Sequence, residues 1–369
     1  MKRFLSFVFV LITIIILGYL QPIYFPVKKT EIAKVDTEQQ SNFQQALPYE
    51  KLPTTGYADY IGKNSSFLIN QLGMPSAKIT ANYNYECWQF NRSNGEYIEA
   101  NVKDGKIAAI KVLNKTQETT PFHLGMTLSE VSHKITIYSN FNFSYNKKQY
   151  NLELTEEDMN YRPLIAFNND TFAILFFGQG NKKLIGIIYL DKESLLTMLP
   201  YQLNKGQQLL PNKQQIGNYS KKQLIQVINR LRKAEKLPVY TENRDNQKQA
   251  ELFIEEFNEK KTLFLSDERL RKLSEIQNSP FVNLNFSLSS EEVKQWLTIE
   301  NMNQNNRTII YQEPIYDPVF TLLSWFSDPL DYSKFNHKQK EMLSVALDNH
   351  SMLILIHRNI DEKSLNKGK

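Results

Sequence analysis

Hydrophobic and polar positions follow different rhythms in different parts of this chain, and each rhythm predicts a different kind of element. The first stretch barely alternates. Phe4 to Leu20, FLSFVFVLITIIILGYL, is a nearly unbroken apolar run directly behind Met1-Lys2-Arg3. At about 1.5 Å per residue it reaches roughly 26 Å as a helix, close to the hydrocarbon thickness of a bilayer. A helix is the single-segment structure that satisfies its own backbone in lipid, so residues 1–26 are expected to form a membrane anchor. Lys2 and Arg3 precede the run, which predicts an inside N-terminus and an exported remainder; Lys28 and Lys29 beyond it act against that orientation. A cleaved signal peptide is the alternative. Its apolar core is shorter and ends in a small-x-small site, whereas this run ends Gly18-Tyr19-Leu20-Gln21-Pro22.

Residues 27–55 are polar without a period and read as a flexible stalk. Period-2 alternation then dominates residues 56–200. A short helix around Phe67, Leu68 and Leu72 is stopped by Gly73 and Pro75. Strands are expected at Tyr83–Asn91, Tyr97–Val102 and Lys106–Leu113. Asn94-Gly95 and Asp104-Gly105 separate them, which are hairpin signals. The plan recurs. Leu72-Gly73-Met74 is echoed by Leu124-Gly125-Met126, Thr127 and Glu130 form a capping box for a helix through Ile135, and strands follow at Asn140–Tyr145, Gln149–Thr155, Thr171–Gly178 and Leu184–Leu190. A helix followed by a β-meander thus occurs twice.

Residues 201–218 are polar with Gly and Pro and read as a linker. From Ser220 the period changes to that of helices. Ser220 and Gln223 form a capping box, and Leu224, Val227, Ile228 and Leu231 share one helix face. Ala250, Phe253, Ile254 and Phe257 mark a second helix. Asp267 opens a third, Ser289 and Glu292 cap a fourth, and Asp317-Pro318 opens a fifth that Asp328-Pro329 ends. Met342–Leu347 and Met352–His357 fit a closing hairpin, and residues 358–369 form a polar tail.

Composition narrows the function classes. The 369 residues are 41% hydrophobic and 12% aromatic, enough to build cores in two domains. The mean hydropathy of −0.45 argues against several membrane spans. The net charge of +5 is spread without a dense Lys/Arg block, so nucleic acid is not an expected partner. Cys87 is the only cysteine. It cannot form an internal disulfide, and its place beside Trp88 reads as a buried structural thiol.

The stretch Leu72 to Ile110 resembles the CAP-associated N-terminal domain of Gram-positive bacteria. The resemblance rests on Leu72-Gly73-x-Pro75, on the aromatic series Tyr83, Tyr85, Trp88, Phe90-Asn91, on Tyr97-Ile98, and on the Val102…Gly105-Lys106-Ile107 hairpin. It covers roughly residues 57–200. That domain typically precedes a CAP (SCP-like) domain. Residues 219–357 are similar to one at Asn229, Arg232 and Leu237, at Trp325-x-Ser327-x-Pro329, and in the closing hairpin. The resemblance implies an α-β-α sandwich there. The expected fold is therefore α+β: an anchor helix, a two-copy helix-plus-β-meander domain, then a CAP-like sandwich.

The departures from the family bear on chemistry. Intact family grooves hold two histidines and two acidic residues able to bind a divalent metal. Here the first histidine falls at Phe253, the second near Asp331, and of the G-E-N-I stretch only Glu313 and Ile315 survive. The groove candidates implied are thus Glu313 and Asp331. The five histidines (His123, His133, His337, His350 and His357) form no metal-binding spacing. No G-x-S-x-G, Walker A or G-x-G-x-x-G occurs. Catalytic residues, a metal and a cofactor are therefore not expected. Tyr83, Tyr85, Trp88 and Tyr97 are candidates for binding, with core packing as their alternative. The expected function is a membrane-anchored, extracytoplasmic, non-catalytic envelope protein that binds a protein, a peptide or a wall polymer. The alternative is a metal-assisted hydrolase of envelope substrates working through the CAP-like groove.

Overall fold

Most strand-forming residues between 51 and 190 pair into one large sheet shared by both copies. The computed structural model describes residues 48–80, 85–91, 96–113, 119–203, 218–278, 285–300, 302 and 306–358. The expected anchor, most of the stalk, Tyr83, the Asn94-Gly95 turn and nearly all of the polar tail lie outside the described residues. Among the described residues no helix is long and apolar enough to cross a membrane.

The large sheet has eight strands in the order β1-β8-β9-β10-β5-β4-β3-β2. These are β1 (Lys51–Leu52), β2 (Ala77–Thr80), β3 (Tyr85–Asn91), β4 (Tyr97–Lys103), β5 (Lys106–Leu113), β8 (Leu164–Phe167), β9 (Phe172–Phe177) and β10 (Leu184–Leu190). The strands that end each copy, β5 and β10, pair antiparallel at its centre, from Ile187↔Val112 to Leu190↔Ala109. Each copy's meander thus extends outward from a shared seam. β6 (Asn140–Tyr145) and β7 (Lys148–Glu153) are an insertion in the second copy. They leave the large sheet and pair with β11 (Gln202–Leu203) instead.

The backbone corrects the basis of the repeat. Gly73 caps the end of helix Ser66–Leu72, whereas Gly125 precedes helix Leu128–Ser132, so the Leu-Gly-Met echo does not join equivalent positions. The true counterpart of Gly125 is Gly62. Gly62 donates its N–H to Ile107 O and Gly125 donates to Leu184 O, at 2.8 and 2.7 Å. The return bonds run from Ile107 N to Lys63 O and from Leu184 N to Met126 O. Both glycines have positive φ, 84° and 95°, which a side chain would strain.

Two boundaries also shift. Lys51 and Leu52 pair in parallel with Ala166 and Phe167, so the stalk expected through residue 55 gives way to folded chain before residue 51. Gln202 and Leu203 pair with Glu153 and Leu152, so the expected linker cannot begin at residue 201.

The second sheet has four strands in the order β12-β13-β15-β14: β12 (Phe286–Ser287), β13 (Arg307–Glu313), β14 (Glu341–Leu347) and β15 (Met352–Arg358). Side chains alternate across it. Ile310, Val345, Ile354 and Ile356 join one core with helices Lys221–Ala234 and Pro318–Ser327. Ile309, Tyr311, Leu353 and Leu355 join another with Phe253, Phe257, Phe264 and Trp296. This is the expected α-β-α sandwich. Its first helix is stapled by the motif residues: Arg232, fully buried, donates to the carbonyls of Pro238, Phe335 and His337 and to the Tyr240 hydroxyl, while Asn229 exchanges two bonds with the Tyr240 backbone.

The described residues between 48 and 358 belong to a single compact unit. The sandwich helices Lys221–Ala234 and Pro318–Ser327 also cover the large sheet, whose Ala109, Ile174, Phe176 and Ile188 share their core. The opposite sheet face buries Ile98, Ile110, Leu175 and Ile187 under Tyr57, Leu68 and Val131. Both faces of the large sheet are therefore dry.

Candidate functional site

Two joints fix the sandwich against the large sheet, and a cavity lies between them and the solvent. The first joint is ionic. Strands β4 and β5 place Glu99 and Lys111 on the covered sheet face, and the fold brings Asp317, at the start of helix Pro318–Ser327, onto them. Lys111 and Glu99 have no exposed side-chain surface, with Nζ 2.6 Å from Glu99 Oε1; Lys111 also pairs with Asp317, which is 4% exposed. Four donors converge on Glu99: Lys111, Tyr97 (2.7 Å), Tyr219 (2.8 Å) and Gln89 (3.0 Å). Asn101 Nδ2 donates to Asp317 at 3.1 Å, and Cys87 Sγ lies 2.9 Å from the Tyr219 hydroxyl. Burial disfavours the charged forms here, but the mutual attraction wins. The Lys111 charge holds the Glu99 carboxyl below its ordinary range, and the two carboxylates hold Lys111 above its own. Burial and the neighbouring Glu99 push the Cys87 thiol up, so it stays protonated.

The second joint is the β9–β10 hairpin. Gln179 donates from its backbone to Phe326 O and from its side chain to Ser327 O. Asn181 donates its N–H to Glu235 Oε2 at 2.9 Å. A Cβ on Gly180 would stand 2.2 Å from the Tyr332 hydroxyl and 2.4 Å from Glu235 Oε2, so any side chain there would have to displace both groups.

The cavity measures about 310 Å³. Arg162, Met198, Leu199 and Pro200 line it from the large-sheet side. Asn285, Gln312, Pro314 and Tyr316 line it from the sandwich, as does one face of helix Pro318–Ser327 with its flanks: Asp317, Phe320, Thr321, Ser324, Trp325, Asp328 and Asp331. These helix positions recur at spacings of three and four, as one face demands. Gln312 Oε1 accepts from Trp325 Nε1 at 2.9 Å, which fixes the indole in the wall. Arg162 donates to Asp158 at 2.8 Å, and Lys334 pairs with Asp331 at 2.9 Å.

The structure places the sequence candidates apart. Asp331 lines the cavity. Glu313 does not: strand alternation turns it away from Gln312's face, where it accepts from Gln277 Nε2 at 3.0 Å. Burial raises the Glu313 pKa, against the opposing influence of Lys261 and of hydrogen bonds from Gln277 and Tyr311. The two residues therefore do not form one groove. Phe253, where the family histidine would fall, is buried with its ring 5.1 Å from Trp296, inside an aromatic cluster with Phe257 and Phe264. Among the described residues no group of three or more His, Cys, Asp or Glu is placed to hold a metal ion.

Of the four aromatic candidates, the side chains of Trp88 and Tyr97 are described. Trp88 is 5% exposed, with Lys78 over its ring and Glu86 on its Nε1. Tyr97 is buried in the ionic joint. Neither forms a binding surface. Apart from Asp331, the cavity residues escaped the sequence reading because they come from distant segments. Their one local signal was the polar series 317, 321, 324, 328 along an otherwise apolar helix.

Known proteins resemble parts of this sequence and its fold. Residues 61–201 match the family model described as CAP-associated N-terminal. The uncharacterized membrane protein YlbC of Bacillus subtilis is 25% identical over 206 residues, which is 53% of this chain and 59% of that protein's length. An extracellular protein containing an SCP domain from Bacillus anthracis superposes with a TM-score of 0.62 at 19% identity, over 88% of this chain and 100% of that one. A cysteine-rich secretory protein from Staphylococcus aureus gives 0.63 at 19% identity, over 85% and 99%. Residues 61–201 are thus similar to the CAP-associated N-terminal family, and the chain has the fold of these two structures.

Proposed function

We propose that this protein is a membrane-anchored, extracytoplasmic, non-catalytic binding protein of the cell envelope whose ligand occupies the junction cavity. The observation that carries the reading is the cavity itself. Its walls come from both domains, and it is flanked by a fully buried ionic joint and a glycine-dependent hairpin. Preformed concave sites with a few placed polar groups between domains are where ligands bind. The apolar run Phe4–Leu20 supports the anchor. The description of YlbC as a membrane protein and the extracellular and secretory descriptions of the structural relatives accord with it.

A hydrolase working through the CAP-like groove has weaker support. Phe253 and its aromatic neighbours fill the position the family gives to a histidine, and Glu313 and Asp331 belong to different surroundings. The test is site-specific photo-cross-linking in intact cells from a benzophenone residue at Tyr316, with the same residue at exposed Leu252 as control. A discrete adduct from position 316 alone is expected. Equal labelling from both positions, or a C-terminal domain protected from external protease, overturns the reading.

A further inference from the structure

The charges lining the cavity do not balance, and the imbalance identifies a ligand chemistry. The inference rests on the cavity being the ligand site. Arg162 is matched by Asp158, and Asp317 by Lys111. Asp331 shares Lys334. Asp328 has no cationic side chain within ion-pair distance among the described residues. Its Oδ1 accepts the N–H groups of Leu330 (2.8 Å) and Asp331 (3.1 Å), and Oδ2 takes neither.

Gln179 occupies the Phe326 and Ser327 carbonyls at the end of helix Pro318–Ser327, and a second polar group on the cavity-lining face of that helix is left unmatched. Ser324, one turn before Asp328, has a buried hydroxyl oxygen with no hydrogen-bond partner. Aromatic rings of Phe320, Trp325 and Tyr316 form the adjoining wall, a surface that suits an alkyl chain ending in a cation. The amide nitrogen of Gln312, also in the lining, is left over once Oε1 is engaged by Trp325, and it can meet a peptide carbonyl.

We infer that the cavity binds a peptide through the primary ammonium group of a side chain, held between Asp328 and Asp331 with its methylenes on the aromatic wall. A volume of about 310 Å³ admits one long side chain and its flanking backbone. A bare divalent ion is the weaker fit, because two carboxylates fall short of the six or more oxygens that calcium takes.

The test is calorimetry on the full-length chain in detergent micelles, with end-blocked Ala-Lys-Ala and its Nε-acetylated form as probes. The lysine peptide should bind at least about tenfold more tightly than the acetylated one, as expected for a charged hydrogen bond. Asp328→Asn should erase that difference with an unchanged melting temperature, since Asn caps a helix as well as Asp does. Equal binding of both peptides, undiminished preference in Asp328→Asn, or stoichiometric calcium binding lost in that variant each overturn the inference. So does a lack of binding by either peptide up to about millimolar concentration. In that last case an intact cross-link from Tyr316 would leave the binding-protein reading standing, and its loss would remove both.

Discussion

Replacing Lys111 with methionine tests whether the ionic joint holds the two domains together. Methionine keeps most of the buried stem and removes the charge, leaving Glu99 and Asp317 facing each other in a dry interface. Breaking one partner out of a buried ion pair costs about 3–5 kcal/mol. The lower end applies here. Glu99 keeps its bonds from Tyr97, Tyr219 and Gln89, and Asp317 keeps those from Asn101 and the Phe320 backbone. A loss of about 3 kcal/mol is a large share of the ~5–15 kcal/mol that holds a typical protein folded.

The pH dependence gives the prediction its edge. Glu99's folded pKa lies below the ordinary 4.5, so its contribution is present above that value and disappears as pH falls through the folded value. In Lys111→Met the Glu99 carboxylate loses the charge that kept it ionised. The deficit should be greatest near neutral pH and shrink below pH 4.5, where protons replace the lysine. Urea unfolding of wild type and variant at neutral and acid pH measures it, and calorimetry should show the single transition broaden or split as the domains uncouple. Restoring neutrality with Glu99→Gln and Asp317→Asn in the same chain should recover part of the loss. A deficit under about 1 kcal/mol, the size of an exposed pair, would refute the argument. So would a deficit that is the same at both pH values.

Further outcomes follow from three single residues. Gly180→Ala should destabilise by about 1–3 kcal/mol, because its methyl would displace Tyr332 and Glu235 from the hairpin joint; chemical denaturation measures this. Phe253→Ala should cost about 3–5 kcal/mol through the cavity left beside Trp296. Phe253→His should also destabilise and should gain no stoichiometric zinc by calorimetry, since the nearest rings are those of an aromatic core. Glu313→Gln should stabilise at neutral pH. Burial raises the Glu313 pKa, so charging it costs stability as pH rises through the folded value, and the advantage of Gln should fade below pH 4.5. Equal effects at both pH values would contradict this.

Local chemistry was legible in the sequence wherever one short segment decides it. The capping boxes at Thr127 and Ser289 form as read, Gln223 returns its bond to the Ser220 N–H, and Asp317-Pro318 opens its helix. The Asp104-Gly105 turn joins β4 and β5, and the closing hairpin pairs in register from Glu341↔Arg358 to Leu347↔Met352. What was not legible depends on partners far along the chain. The parallel pairing of β1, the seam of β5 on β10 and the departure of β6–β7 are choices among edges that a single strand's alternation does not encode.

The same limit explains why the site was misplaced. Cys87, Gln89, Glu99, Asn101 and Lys111 alternate with apolar neighbours, and alone that pattern means a sheet with one wet face. Here the polar face is covered by helices whose own polar positions, Asp317 above all, supply the missing partners. Polar alternation therefore marked an interface, and the chain disclosed this only through identity. A solvent face has no need for a lysine, a glutamate, an asparagine and a cysteine in register across three adjacent strands, and long flexible charges there would gain little from each other. Burial changes the value of those residues: unmatched, each would cost several kcal/mol, and matched by Asp317 and Tyr219 they fix one docking geometry. That geometry sets the distance between Arg162 and helix Pro318–Ser327, and with it the width of the cavity. Asp317 touches both, so Lys111→Met should weaken ligand capture at Tyr316 even where the fold survives. A variant that stays folded and cross-links as well as wild type would show that the cavity does not depend on the joint.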